Sequence, residues 1–253
     1  MEALNFIVNW INSYVKAHKL NALVVGVSGG IDSALTSTLC GMTGVKTVAV
    51  SMPIDQKNNE LIRAEKHIDW LSNNFPNLYN ETINLTALFE LYKKSIPVKF
   101  HSNLGLANTR ARLRMTTLYQ IAAQENGIVV GTGNKIEDFG IGFFTKYGDG
   151  GVDISPIADL TKSEVNKLAQ KVGIISDIIE AEPTDGLWED GRTDETQIGA
   201  TYKELEWAME YNGEKKLTSR EKTVLNIYTR LKNQNEHKTT PIPICKIPKN
   251  LKI

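Results

Sequence analysis

The chain reads as an α/β protein, with a mainly parallel, Rossmann-like sheet, helices on both faces and a helical C-terminal extension. Two patterns predict the parallel sheet and the extension. Short β-rich runs alternate with helical stretches up to about residue 150, and strand-helix-strand alternation favours a parallel sheet covered on both sides. Beyond that point the strand signals fade and helical periodicity dominates. A length of 253 residues suits one sizeable domain, so the span 1–253 is read as a single unit.

The elements follow in order. MEALNFIVNWINSYVKAHKL is patterned as an amphipathic helix and lacks both the basic start and the small-residue cleavage site of a signal peptide. ALVVGVS (22–28), TVAVSMP (47–53), YNETINL (79–85) and GIVVGTG (127–133) are predicted strands. SALTSTLCGMT, NELIRAEKHIDWLSNN and NTRARLRMTTLYQIAAQ are the predicted helices between them. In the last of these, Ala111, Met115, Leu118 and Ala122 form one stripe, flanked by Arg110 and Arg114 on one side and Arg112 on the other. TKSEVNKLAQKV, DETQIGATYKELEWAME and SREKTVLNIYTRLKNQ complete the helical set. Between the first two lies AEPTDGLWEDGRT, long enough to act as a lid over about 183–193.

Composition excludes several classes. Formal charge balances at zero, which gives no global pull toward nucleic acid or an acidic membrane. Cys40 and Cys245 form no CxxC pair, so zinc ribbons and redox motifs are unsupported. No run approaches ~18 apolar residues. The expectation is a soluble, cytoplasmic protein. Locally the charge is uneven: residues 177–210 hold eleven acidic and two basic residues, whereas 214–253 hold ten basic and three acidic. The basic tail, from about 236 to 253, could fold over an anionic ligand or be a solvated face.

The chemistry concentrates in VVGVSGGIDS (24–33). A strand entering a glycine turn and then a helix aims backbone N–H groups and a positive helix end at one point, which suits phosphate. A Walker A loop is excluded because Ile31 and Asp32, not Lys and Ser/Thr, follow the glycines. The GxGxxG fingerprint fails because Ser28 takes the place of its second glycine. The SGGxDS pattern resembles the pyrophosphate loop of enzymes that split ATP between its α and β phosphates.

Five later stretches narrow the resemblance: NTRARLRM (108–115), GTGNKIED (131–138), GFFTKYGDGGVDISPIADLTKSEV (142–165), EPTDGLWEDGRTDETQIGATYKELE (182–206) and EHK (236–238). With the loop, they are similar to ammonia-dependent NAD⁺ synthetase, in order from about residue 5 to 240. That resemblance implies an adenine nucleotide α-hydrolase-like fold and a two-step amidation. The nicotinate carboxylate of deamido-NAD⁺ attacks the α-phosphate of ATP, and ammonia then displaces AMP from the adenylate. Both nucleophiles are substrates, which agrees with the lack of an evident Ser-His-Asp or Cys-His arrangement. No length is available for a glutamine-hydrolysing domain, so free or partner-supplied ammonia is the expected donor.

Carried over residue by residue, the resemblance implies an ATP site at Gly26, Val27, Ser28, Gly29, Gly30, Ile31, Asp32 and Ser33. Lys162 and Thr184 would close from the far side, with Thr132 near the ribose or phosphates. Asp32 and Glu137 match Mg²⁺ ligands and, with Lys162, form the expected catalytic set. Tyr14, Arg112, Lys146, Asp153, His237 and Lys238 match deamido-NAD⁺ positions. The family works as a homodimer, which places interface helices around 5–18 and 103–125. Two departures stand out: Leu104 occupies an expected aromatic stacking position, and IDQKNNE (54–60) replaces a serine-rich loop, leaving the adenine contacts open. The alternatives are another pyrophosphate-loop enzyme, such as a tRNA-modifying ligase, and a non-catalytic adenine-nucleotide sensor.

Overall fold

The computed structural model describes residues 2–55, 58–184, 193–214 and 216–252. Four strands form one parallel sheet: β1 (Ala22–Gly26), β2 (Lys46–Ser51), β3 (Leu78–Thr82) and β4 (Gly127–Val130), in the order β3-β2-β1-β4. All three pairings are parallel, with Val25 beside Ala49 on one side and Val130 on the other. The order reverses at β1, so the chain leaves β1 and β4 at neighbouring points. Ligands of open parallel sheets gather at such a switch point, outside the carboxyl ends of the strands.

Burial of both sheet faces follows the strand alternation. Leu23 and Val25 point into a core with α1 (Glu2–Ala17), α2 (Ile31–Met42), α3 (Asn58–Asn74), α6 (Lys162–Lys171) and α7 (Ser176–Ile179). Val24, Val48 and Val50 point the other way, against α4 (Thr86–Ser95) and α5 (Asn103–Gln124). A third apolar cluster joins a π-helix (Lys135–Ile141) to α9 (Tyr202–Glu210) and α10 (Ser219–Thr239) through Ile136, Ile141, Leu205, Val224 and Tyr228. That cluster is the helical extension predicted for the C-terminal part. Helix α5 starts a turn earlier than NTRARLRM suggests, because Ser102 caps it by accepting from the Gly105 N–H at 3.0 Å.

Further predicted elements change. DETQIGATYKELEWAME is two helices, α8 (Asp194–Ile198) and α9. Gly199 adopts φ 87°, a left-handed stop, and a Thr201–Glu204 capping box restarts the chain. The strands end two or three residues before VGVS, SMP and VGTG run out, which frees those residues for loops. Phe143 and Phe144 lie in a loop after Gly142 terminates the π-helix. Helix α4, the π-helix and α7 have no counterpart in the sequence reading. Most of the lid expected over 183–193 lies outside the described residues, as do two residues of the 54–60 loop.

His67 of α3 is fully buried and stacks on Trp70 at 5.6 Å. Ser37 Oγ donates to the Ser33 carbonyl at 2.8 Å, so His67 Nε2, 3.0 Å away, is the donor to Ser37 Oγ, and Nδ1 is left unpaired. Burial lowers the imidazole pKa to about 4. Between pH ~6.5 and ~4 the unfolded chain therefore binds a proton that the folded chain refuses. Stability is complete above that window and falls as pH drops through it. At pH 5 the loss from this one group is about 2 kcal/mol. Urea midpoints at pH 7.5 and 5 should separate more in the native protein than in His67→Gln, and equal separations would remove His67 as the cause.

Candidate active site

A cavity of about 640 Å³ opens at the carboxyl edge of β1 and β4. One wall is the turn Gly26–Ser33. Gly30 is the α2 N-cap and provides no side-chain cap, so the first N–H groups of α2 face the cavity with the positive end of the helix dipole. Ser33 Oγ donates to the Gly30 carbonyl at 2.9 Å and lies 3.1 Å from Ser28 Oγ, which fixes the turn from inside. Gly29 has φ 86°, and a Cβ there would stand 2.5 Å from the Glu60 carbonyl oxygen. Only glycine lets α3 close on the loop this tightly.

At the floor, Lys162 Nζ lies 2.5 Å from Asp32 Oδ2 and 2.9 Å from Glu137 Oε1. All three side chains are 12–16% exposed. Asn134 cross-links them: its Nδ2 donates to Asp32 Oδ1 at 3.2 Å, while its Oδ1 accepts from the Ile136 and Glu137 N–H groups at 3.1 and 3.0 Å. That last pair caps the π-helix and orients Glu137. Tyr202 of α9 donates to Glu137, and the Lys162 ammonium sits 4.9 Å from its ring centroid.

Burial dominates Asp32 and raises its carboxyl pKa, against the opposing pull of Lys162. Glu137 experiences the same burial, but Lys162 and the Tyr202 hydroxyl together hold it below its ordinary value. Lys162 is raised: burial opposes its charge, and the two carboxylates outweigh it. Asp138 is raised well above the ordinary range by burial and then by Glu137, Asp149 and Asp32. Asp149 is raised mainly by burial and accepts from the Thr145 N–H at 3.0 Å. The cavity thus gathers four carboxyl groups, Asp32, Glu137, Asp138 and Asp149, and Lys162 pairs with two of them, which suits a cation-accompanied ligand.

The opposite wall is built from α5, the GFFTKY loop and the end of α10. Arg112 Nη2 donates to the Lys146 carbonyl at 3.3 Å, and Lys146 Nζ donates to the His237 carbonyl. Lys238 Nζ donates to the Gly142 and Phe144 carbonyls at 2.7 and 2.8 Å, which ties the start of the basic tail to the wall. Arg114, whose pKa burial lowers to about 10, donates to the Met52 carbonyl at 2.9 Å. Phe143, Phe144 and Leu104 also border the cavity.

The structure thus gathers most of the sequence-predicted residues. Gly26, Val27, Ser28, Gly29, Gly30, Ile31, Asp32 and Ser33 line the cavity, as do Thr132, Glu137, Lys162 and Thr184. Arg112, Lys146, His237 and Lys238 line the facing wall. Two residues stand apart. Tyr14 packs in α1, its ring stacked on His18 at 4.1 Å, because its helix face covers the sheet core. Asp153 accepts from the Val129 N–H at 2.8 Å and the Tyr119 hydroxyl at 3.0 Å, so both its oxygens are held by the scaffold. Asn134, Asp138 and Asp149 were not singled out, although they lie inside the quoted GTGNKIED and KYGDGG stretches; Tyr202 carries no signal without its packing.

Comparison with known proteins agrees with this arrangement. The family model for NAD synthase matches residues 3–241. An NH3-dependent NAD⁺ synthetase of Carboxydothermus hydrogenoformans is 39% identical over 206 residues, covering 79% of this chain and 81% of its own. The structure of an NMN synthetase from Francisella tularensis matches with a TM-score of 0.86 and 32% identity, covering 98% of both chains. An NH3-dependent NAD synthetase from Campylobacter jejuni matches with a TM-score of 0.78 and 27% identity, covering 97% of this chain and 98% of its own. With its fold, its pyrophosphate loop and nearly its whole length matched, the chain belongs to the NAD synthase family.

Proposed function

We propose that the protein is a carbon–nitrogen ligase that amidates deamido-NAD⁺ with ammonia, consuming ATP and releasing AMP and pyrophosphate. The observation that carries this reading is the opposition of two walls in one cavity. The pyrophosphate loop and the Asp32–Glu137–Lys162 floor face Arg112, Lys146 and Lys238 across one cavity of about 640 Å³. Unit 1–253 would act as one synthetase domain in the cytoplasm; among the described residues no helix is long and apolar enough to cross a membrane.

Asp32 and Glu137 fit a Mg²⁺ ion. Both oxygens already converge on one cation, and hard oxygen donors with one or two carboxylates are what Mg²⁺ takes beside phosphate. When bound, the ion would neutralise phosphate charge. The chain's own groups do the rest. The loop amides, Ser28 and Ser33 hold phosphate oxygens. Lys162, displaced from the carboxylates, would follow the α-phosphate, with Thr132 and Thr184 beside it. Arg112, Lys146, His237 and Lys238 orient the acid substrate so that its carboxylate meets the α-phosphorus. Attack forms a C–O–P link and breaks the bond to pyrophosphate; ammonia then forms the amide and AMP departs. Catalysis is mainly positioning and charge neutralisation.

A homodimer suits the surface. Phe6 and Trp10 of α1 are exposed, as are Val98, Phe100 and Leu104 before and within α5. Tyr14 and Asp153 would contact substrate only with rearrangement or from a second copy.

A second reading concerns the acid. Leu104 at the cavity border is 63% exposed and aliphatic, so it offers no flat ring to a dinucleotide's adenine. The similarity to an NMN synthetase points the same way, toward nicotinate mononucleotide as substrate.

The expected outcome with ATP, Mg²⁺ and ammonium is stoichiometric AMP and pyrophosphate only when an acid nucleotide is present. Comparing kcat/KM for deamido-NAD⁺ and nicotinate mononucleotide decides between the two readings, and no product from either acid would overturn both. Asp32→Asn and Glu137→Gln should each fold and lose roughly 100-fold or more in kcat; near-normal rates at saturating Mg²⁺ would remove that residue from the ligand set. Arg112→Ala should raise KM for the acid far more than for ATP. Asn134→Asp keeps the π-helix cap but sets a third buried carboxylate against Asp32, so both turnover and Tm should fall; an unchanged Tm would mean that Asn134 does not brace Asp32.

A further inference from the structure

We propose that Arg63 of α3 is a ligand for the β- and γ-phosphates of ATP and for the pyrophosphate they become. The inference rests on the ATP-cleaving reading above and extends it to a residue outside every motif that carries that reading.

Three observations place a guanidinium where a triphosphate tail needs one. The first is packing: a Cβ on Gly29 would lie 2.5 Å from the Glu60 carbonyl oxygen, 3.0 Å from the Ala64 nitrogen and 3.3 Å from the Arg63 Cβ. The first turns of α3 therefore rest directly on the phosphate loop, and Arg63 stands at its rim. The second is the hydrogen bonding. Arg63 Nε donates to the Gly29 carbonyl at 3.3 Å, which leaves the Nη1 and Nη2 donors without a hydrogen-bond acceptor among the described residues. Asp177, across the adjoining groove, is engaged by Lys66 at 2.5 Å. The half-buried Arg63 side chain borders the cavity beside Ser28, Gly29 and Gly30.

The third observation is charge. Lys162 is neutralised by the two carboxylates of the floor. Arg112, Arg114, Lys146 and Lys238 are bonded to carbonyls of the facing wall, Met52 or the tail. Among the described residues lining the cavity, Arg63 is the basic side chain bonded to the backbone of the phosphate loop, through the Gly29 carbonyl. When the acid's oxygen bonds to the α-phosphorus, the bond to the bridging oxygen breaks and its electron pair stays on pyrophosphate. Negative charge grows there, and a planar guanidinium fork with free donors binds phosphate oxygens bidentately.

The test uses the full chain with Arg63→Gln and Arg63→Lys. Calorimetric titrations with Mg–ATP, pyrophosphate and AMP are run beside steady-state kinetics. Arg63→Gln should weaken ATP and pyrophosphate binding by about tenfold or more and leave AMP binding unchanged, because AMP lacks the distal phosphates. KM for the acid and for ammonium should stay unchanged, and Arg63→Lys should recover part of the loss. Equal weakening of AMP and ATP would mean that Arg63 only braces the loop, and unchanged ATP and pyrophosphate binding would mean that it touches neither; either result overturns the proposal. The titrations are independent of turnover, so an inactive native protein that still prefers ATP to AMP would sink the ligase reading and spare the Arg63 assignment.

Discussion

Two mostly buried carboxylates sharing one ammonium is the constraint on which the rest of this structure depends. Asp32 and Glu137 come from segments 105 residues apart in sequence, and Lys162 Nζ is within 2.9 Å of both. Removing one partner from such a group leaves an uncompensated buried charge, which costs several kcal/mol. Lys162 is also the first residue of α6, where the helix dipole disfavours a cation by ~0.3–1 kcal/mol. That placement holds only because the carboxylates outweigh the dipole. The Thr161–Glu164 capping box starts α6 at that residue, Asn134 fastens Asp32 to the π-helix, and Tyr202 closes over Glu137. A π-helical turn is uncommon and often marks a working site; here it delivers Glu137 to the floor and buries Ile136 and Ile141 against α9 and α10.

Topology makes this convergence cheap. Because the strand order reverses at β1, the loops after β1 and β4 are spatial neighbours without any long excursion. Helix α3 then packs on the glycine turn from one side, and α5 with the GFFTKY loop stands on the other. The apolar floor under both walls is the sheet itself, with Val25 and Val130 buried side by side. Rigidity of that floor suits a reaction that depends on orientation more than on any protein nucleophile.

Much of this was legible in the sequence because the signals are local. Strand-glycine-helix in VVGVSGGIDS is a backbone pattern, and the β-branched runs and helical stripes predicted the sheet order's ingredients. The cavity-lining basic residues on α5 and α10 were legible only through the motif resemblance. What was missed depends on contacts between distant segments. Tyr202 looks like any tyrosine on an amphipathic helix, and nothing in ETINLTALFELYKK separates a long strand from the short β3 followed by α4. Asp153 was read as a substrate position through the resemblance alone; what the sequence did not show is that the Val129 N–H and the Tyr119 hydroxyl each bond one of its oxygens. Gly199 ended a helix that periodicity alone carried through.

The central claim is that Lys162 serves as the counter-charge of a preformed cation site. It is tested most directly by the thermal stability of Lys162→Met with and without magnesium. Without the ion, Asp32 and Glu137 would be left unpaired, and the variant should lose on the order of 3 kcal/mol at neutral pH. Millimolar Mg²⁺ should restore a large part of that loss in the variant while changing the native protein little. Equal stability of the two proteins without Mg²⁺, or a loss that Mg²⁺ leaves untouched, would contradict the account.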